Sequence, residues 1–229
     1  MMHQSINNLM SLLESSPESD SVFNPWYDVD PENDLSEESP KIRHRQLRQY
    51  LNERRRSAKY VLVGEALGYQ GGHFSGMAMT SERILLNKLT HKGIRAEHVF
   101  TGIEPQRTSK PVVKADGFTE PTATIAWGTM LDLGIDPYDF VIWNTFAWHP
   151  WNPKKGRLSN RRPTDQELSF GFGALATFMQ VFDGCTVIAV GKIAGANLVG
   201  IVDKIHDVRH PANGGAGQFR EQVAALIKG

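Results

Sequence analysis

Residues 60–68 read Tyr60-Val61-Leu62-Val63-Gly64-Glu65-Ala66-Leu67-Gly68, an apolar run that ends in a carboxylate flanked by glycines. Two further apolar segments also end in polar residues: residues 140–143 reach Asn144, and residues 205–208 reach Arg209-His210-Pro211. Short apolar runs bounded by turn residues are typical of buried strands. Ligands of open α/β sheets bind beyond the carboxyl ends of the strands. The sequence therefore predicts a site where a carboxylate, an amide and an imidazole share one sheet edge.

Helical patterns separate the predicted strands. Polar caps or a proline begin helices near residues 81, 121 and 164, and further helices are predicted over 41–56, 193–200 and 219–227. Additional strands are predicted at 185–190 and 99–102. Because strands that alternate with helices favour a parallel sheet, we expect an α/β fold, a three-layer α/β/α sandwich with a mostly parallel central sheet.

Charge is unevenly distributed along a chain whose net charge is zero. Residues 1–40 carry nine carboxylates and no Lys or Arg, so the remainder has 25 basic against 16 acidic residues, a net charge of +9. We predict an acidic N-terminal extension over 1–40, with a short amphipathic helix at 5–14, and a single α/β domain over 41–229. The basic body favours nucleic acid, whereas overall neutrality argues against it. The arginines of 41–56 fit either a solvated surface helix or a phosphate-contacting one.

Several classes of site and location are excluded by composition. The lone Cys185 excludes an internal disulfide and a four-cysteine metal or iron–sulfur site. The histidines lack the paired spacing of a zinc site, so we expect no metal and no cofactor. No stretch approaches 18 apolar residues and no secretory pattern begins the chain, which indicates a cytoplasmic protein without a membrane partner. With no heptad pattern, we expect a monomer that has no obligate protein partner.

Each of the three strand-end residues has a structural reading and a chemical one. Glu65 either stabilises a turn or helix end, or orients a water molecule. Asn144 either forms a turn or offers an adjacent donor and acceptor to the edge of a pyrimidine. His210 is either structural or stabilises charge on a departing base, and the Asn- and Gly-rich loop after it favours a ligand-facing turn.

In this order, the elements resemble the uracil-DNA glycosylase superfamily, and most closely its branch whose first motif reads G-E-A-P-G. The matching segments are Gly64-Glu65-Ala66-Leu67-Gly68 with residues 76–81 downstream, the strand that ends at Asn144, and His210-Pro211. The resemblance covers about residues 58–225. It implies a DNA-repair glycosylase that binds DNA, flips out a damaged base, above all uracil, and hydrolyses its N-glycosidic bond.

The resemblance also implies roles for individual residues. Glu65 would orient or activate the attacking water, Asn144 would hydrogen-bond the uracil edge, and His210 would stabilise negative charge on uracil O2. The substrate-binding positions would be Gly64, Ala66, Leu67, Gly68, Tyr69, Phe74, Met79 and Asn144. The DNA-binding positions would be Ser81, Arg209, Asn213, Gly214 and Gly215, of which the last three belong to a loop that enters the minor groove.

The chain departs from that branch at several positions. Leu67 replaces the motif proline, and Met79 stands where a stacking Phe is usual, so stacking would pass to Phe74 or Tyr69. The four cysteines of the branch's iron–sulfur cluster are missing. Two alternatives therefore stay open: a catalytically silent relative that binds DNA or a base, and a nucleoside or nucleotide hydrolase on the same fold.

Overall fold

The structure is a computed structural model that describes residues 2–229 and, among these, the side chains of residues 6–229. Its helices are α1 (Met2–Leu12), α2 (Ser39–Arg54), α3 (Gly72–Ser75), α4 (Glu82–Leu85), α5 (Pro121–Asp132), α6 (Asp165–Val181), α7 (Lys192–Leu198) and α8 (Ala216–Lys228). Its strands are β1 (Val22–Phe23), β2 (Tyr60–Ala66), β3 (Phe140–Phe146), β4 (His149–Pro150), β5 (Thr186–Val190) and β6 (Ile205–Val208).

The central sheet is parallel and has the strand order β3-β2-β5-β6. The connection from β2 to β3 runs to one side of β2, and the chain then passes to β5 and β6 on the other side. Because such crossovers are right-handed, these connections place helices on opposite faces of the sheet. The predicted three-layer α/β/α sandwich is therefore confirmed. The reversal of direction at β2 leaves a crevice beyond the carboxyl ends of the strands.

The N-terminal segment packs against the sheet domain. Ile6, Leu9, Met10 and Leu13 are buried in the same apolar cluster as β2 and β3, and α1 lies against α6 and α2. The short strand β1 pairs antiparallel with β4. These contacts tie residues 6–23 to the rest of the fold, while the domain boundary at residue 40 stays a prediction.

Two arginines of α2 are internal rather than surface residues. The Arg43 guanidinium is fully buried and pairs with the buried Asp34 carboxylate at 2.5 Å. Arg54 is also fully buried, and it donates hydrogen bonds to five backbone carbonyls, those of Tyr50, His98, Val99, Pro137 and Phe140. Neither arginine is exposed to solvent or placed to contact a phosphate. The predictions of a solvated surface helix and of a phosphate-contacting helix are therefore both wrong at these two positions.

The strand predicted at residues 99–102 is wrong. A short 3₁₀ helix (Ala96–His98) leads into a turn instead. The carbonyls of His98 and Val99 accept hydrogen bonds from Arg54, and the N–H groups of Thr101 and Gly102 donate to the Glu53 carboxylate. Because the side chains of Glu53 and Arg54 already bind these backbone groups, the backbone groups cannot pair with a neighbouring strand.

Within residues 2–229, no helix combines the length and the apolar character that crossing a bilayer demands.

Candidate active site

A cavity of about 520 Å³ lies beyond the carboxyl ends of the central strands. It brings together eight residues that the sequence predicts for the site, namely Gly64, Glu65, Ala66, Leu67, Gly68, Met79, Asn144 and His210. The end of β2 and the turn after it supply residues 64–68. β3 supplies Asn144, which is in register with Gly64. His210 follows β6 by two residues. The parallel register therefore brings together side chains that are far apart in sequence.

Glu65 stands at the end of β2 with a half-buried side chain. Its backbone carbonyl accepts a hydrogen bond from the Thr145 hydroxyl at 2.8 Å, which ties this turn to β3. Its carboxylate lies 3.9 Å from the exposed guanidinium of Arg162. Burial raises the pKa of Glu65, and the Arg162 cation opposes this effect. A carboxylate whose proton affinity is raised in this way can act as a general base in a cavity.

Asn144 is 2% exposed, and its Nδ2 has no hydrogen-bond partner among the described residues. Buried amide donors are normally paired, because an unpaired donor costs about 1 to 3 kcal/mol. Gly64 allows the amide to lie there, since a Cβ at residue 64 would come within 2.5 Å of Asn144 Oδ1. Asn144 therefore brings to the cavity lining an amide donor that no described residue pairs and that a ligand carbonyl could satisfy.

His210 is held in one tautomer by its own turn. Its Nδ1 accepts a hydrogen bond from the backbone N–H of Ala212 at 3.1 Å. Burial, together with the neighbouring Arg209 cation, lowers the pKa of His210, so the imidazole is neutral around pH 7. A neutral imidazole with an accepting Nδ1 carries its proton on Nε2. His210 therefore presents an N–H donor to the cavity that it lines.

The predicted aromatic stacking residues lie outside the cavity. Phe74 is fully buried, stacks on Phe118 at a centroid distance of 4.1 Å and does not line the cavity. Tyr69 is not part of the lining, although its backbone N–H is bound by Asn160. Among the described residues, the lining contains no Phe, Tyr or Trp ring, and Met79 contributes an apolar thioether side chain instead.

The predicted DNA-binding residues divide into two groups. Ser81 is fully buried beneath the surface, so it cannot contact DNA in this conformation. Arg209 and Asn213 line a second cavity of about 740 Å³, which shares Glu65, Arg162 and His210 with the first. Gly214 is exposed in the same loop, whereas Gly215 is buried. The two adjoining cavities thus place four cations, Arg161, Arg162, Lys192 and Arg209, beside the candidate site.

Sequence reasoning missed six polar residues of the lining: Gln70, Glu120, Thr122, Asn160, Arg161 and Arg162. Asn160 Oδ1 accepts the N–H of Tyr69 at 3.0 Å and so holds the turn after Gly68. Arg161 pairs with Glu167 at 2.6 Å. The run of polar residues at 159–162 was the available signal for three of them. Glu120 gave no such signal, because a carboxylate before Pro121 reads as the start of a helix.

A buried hydrogen-bond chain supports this loop. Asp30 Oδ2 lies 3.1 Å from His73 Nε2, the two Nδ1 atoms of His73 and His149 are 2.9 Å apart, and His149 Nε2 donates to the Ser159 carbonyl at 2.8 Å. Burial lowers the pKa of His73 and that of His149, the latter to about 3, so both imidazoles are neutral. The chain fixes Ser159 next to the cavity-lining Asn160. The described residues contain no cluster of three His, Cys, Asp or Glu that could hold a metal ion.

Comparisons with known proteins bear on the fold. No protein-family model matches the chain, and no curated protein matches it by sequence. The chain is similar in structure to crystalline wild-type SMUG2 from Pedobacter heparinus, a protein of the uracil-DNA glycosylase family. This likeness shows an α/β/α fold of the uracil-DNA glycosylase-like kind. The TM-score is 0.60 with 13% identity, over 98% of this chain and 97% of the SMUG2 chain. The likeness extends over the full length of the fold, and the roles of side chains rest on the geometry above.

Proposed function

We propose that this protein is a DNA glycosylase that hydrolyses the N-glycosidic bond of a damaged base flipped out of DNA, with uracil as its base. One observation gives the main support for this proposal. The buried amide donor of Asn144, which has no partner among the described residues, lines the same cavity as a carboxylate of raised pKa and a neutral imidazole that carries its proton on Nε2. The glycosylase fold is consistent with it.

The proposed chemistry follows from the three groups. Glu65, when ionised, accepts a hydrogen bond from water and directs its oxygen toward C1′ of the sugar. Asn144 donates from Nδ2 to a carbonyl oxygen of the base, which pairs its buried amide. His210 donates from Nε2 to uracil O2, where negative charge develops as the bond from C1′ to N1 breaks. The water oxygen bonds to C1′ as the bond from C1′ to N1 breaks, Glu65 takes up the proton of the water, and the base leaves as an anion that this proton then neutralises.

The partner in this proposal is DNA, and the cations beside the cavity would meet its phosphates. Arg162, Lys192 and Arg209 lie around the two adjoining cavities, and the exposed Asn213 and Gly214 belong to the same edge. Contacts between cations and phosphates release counterions, so binding should weaken steeply with salt. A cytoplasmic location and a monomeric state belong to the same proposal and rest on the sequence.

The experiment is strand cleavage by alkali of uracil-containing oligonucleotides after incubation with wild-type protein, Glu65→Gln and Glu221→Gln. Glu221 is exposed on α8 and serves as the matched control. We expect abasic sites with wild type and Glu221→Gln, and a loss of about 100-fold or more with Glu65→Gln at unchanged DNA affinity. DNA binding without product would favour the catalytically silent relative, and turnover of free nucleosides without salt-dependent DNA binding would favour the nucleoside hydrolase.

A further inference from the structure

The wall of the same cavity contains a second carboxyl group, that of Glu120, to which the mechanism above gives no role. Glu120 immediately precedes α5, in the position where a side chain commonly caps a helix. Its side chain makes no capping hydrogen bond, and its Oε2 is buried without a hydrogen-bond partner among the described residues. The carboxyl is therefore not used to stabilise the helix that it begins.

The backbone of the first motif makes room for this carboxyl. Glu120 Oε2 lies against Gly71, where a Cβ would overlap it. Gly71 precedes α3 and follows the turn of residues 67–70, which contributes Leu67, Gly68 and Gln70 to the cavity wall. The Glu120 carboxyl is thus held between α5 and the loop that follows β2, on the wall of the cavity that Asn144 and His210 also line.

Electrostatics around Glu120 favour its neutral form. Burial raises the pKa of Glu120 to about 7, so near neutral pH a large share of the molecules carries a protonated carboxyl there. The other charged or titratable side chains on the cavity wall are Glu65, Arg161, Arg162 and His210. An adjoining groove at Pro121 adds Arg83, His91, Lys92, Asp132 and Arg220. Burial alone accounts for the pKa of Glu120, with no contribution from these groups.

We propose that Glu120 donates a hydrogen bond from its carboxyl group to a carbonyl oxygen of the base held in the cavity, an inference that rests on the proposed function. A carbonyl oxygen has two lone pairs, so it can accept from Glu120 as well as from Asn144 or His210. A protonated carboxyl has one O–H to donate, whereas the ionised form can only accept and would face the base oxygen with its lone pairs. Glu120 would then be a specificity-determining residue for bases that carry a carbonyl on this side.

The test compares wild type, Glu120→Gln and Glu120→Ala in single-turnover release of uracil from an oligonucleotide across pH 5.5 to 9. The Gln amide keeps a donor and a similar shape but does not titrate. We expect the wild-type rate to fall as pH rises through about 7, because the donor is lost. Glu120→Gln should keep the rate at low pH and lose this alkaline limb. Glu120→Ala should be about 10- to 100-fold slower than wild type at low pH, the effect of one buried hydrogen bond, and this difference should disappear above about pH 7, where the wild-type carboxyl has lost its proton.

Folding should not confound this comparison, since Glu120→Ala removes a buried carboxyl oxygen, Oε2, that has no hydrogen-bond partner among the described residues. Binding of free uracil, followed by NMR, gives a second readout that requires no catalysis, and Glu120→Ala should weaken it. If wild type releases base and all three proteins share one pH profile and one affinity for uracil, the Glu120 inference is overturned and the proposed function stands. If wild type releases no base, the proposed function fails first, and the Glu120 inference fails with it.

Discussion

The replacement of Asn144 by Ala tests whether this buried amide serves a ligand or the fold. The structure offers a matched control in Asn24, which is 1% exposed against 2% for Asn144. Asn24 Nδ2 donates to the Leu13 carbonyl at 2.8 Å, and its Oδ1 accepts from the Trp26 N–H at 3.1 Å. Asn144 Nδ2 has no such partner among the described residues. The two residues are alike in type and burial but differ in hydrogen bonding.

The expected free energies follow from that difference. Asn24→Ala breaks two buried hydrogen bonds and leaves two backbone groups unpaired, so it should lower the free energy of unfolding by about 2 to 3 kcal/mol. Asn144→Ala removes an unpaired donor at the wall of an open cavity, so the free energy of unfolding should stay within about 1 kcal/mol of wild type or rise. Loss of one positioned donor to the base should slow base release about 100- to 1,000-fold.

The assays are urea unfolding followed by tryptophan fluorescence, and single-turnover release of uracil from an oligonucleotide. The reasoning predicts a stable but slow Asn144→Ala protein, and an unstable Asn24→Ala protein that is active while it is folded. If Asn144→Ala loses as much stability as Asn24→Ala and still releases base at the wild-type rate, Asn144 is a structural residue and the site has been misread.

Three further predictions concern the fold and the pH profile. Arg43→Met should lower the free energy of unfolding by about 3 to 5 kcal/mol in urea titrations, because it leaves the buried Asp34 carboxylate without its cation. Lys41→Met breaks an exposed ion pair on the same helix and should change the free energy of unfolding by less than about 1 kcal/mol. Equal effects of the two substitutions would contradict the buried pairing. Gly64→Ala should slow base release at least about 10-fold by displacing the amide beside it, and Gly173→Ala, which meets no atom within 4 Å, should leave the rate unchanged. Activity should fall with decreasing pH, with its midpoint above the ordinary pKa of a glutamate, because burial raises the pKa of Glu65 and only the ionised carboxylate accepts a proton. If Glu65→Gln keeps the same fall in activity at low pH, a group other than Glu65 causes that fall.

The elements that could be predicted from the sequence are those with local signals. The cap of α6 is an example: Thr164 Oγ1 accepts the N–H of Glu167, and the Glu167 carboxylate accepts the N–H of Thr164, as the Thr-x-x-Glu spacing indicates. The apolar runs of β2 and β3 and their polar ends could also be predicted from the sequence, because the composition and periodicity of a buried strand depend on adjacent residues.

The features that were missed depend on contacts between distant residues. The loss of the strand at 99–102 comes from Glu53 and Arg54, more than 40 residues earlier, and no local pattern reports that competition. Phe74 turned inward to stack on Phe118, and Glu120 came to lie against Gly71. In each case the residue type was visible in the sequence, but the partner that decides its direction was set only by the tertiary fold.

The central claim, that this cavity releases a base from DNA, is tested most directly by detecting free uracil itself. Wild-type protein and His210→Ala would be incubated with a uracil-containing oligonucleotide, and the supernatant would be assayed for the free base by mass spectrometry. The account predicts stoichiometric uracil and a matching abasic strand with wild type, and a release at least about 100-fold slower with His210→Ala. DNA that stays intact while bound to wild-type protein, or release at the same rate from both proteins, would contradict it.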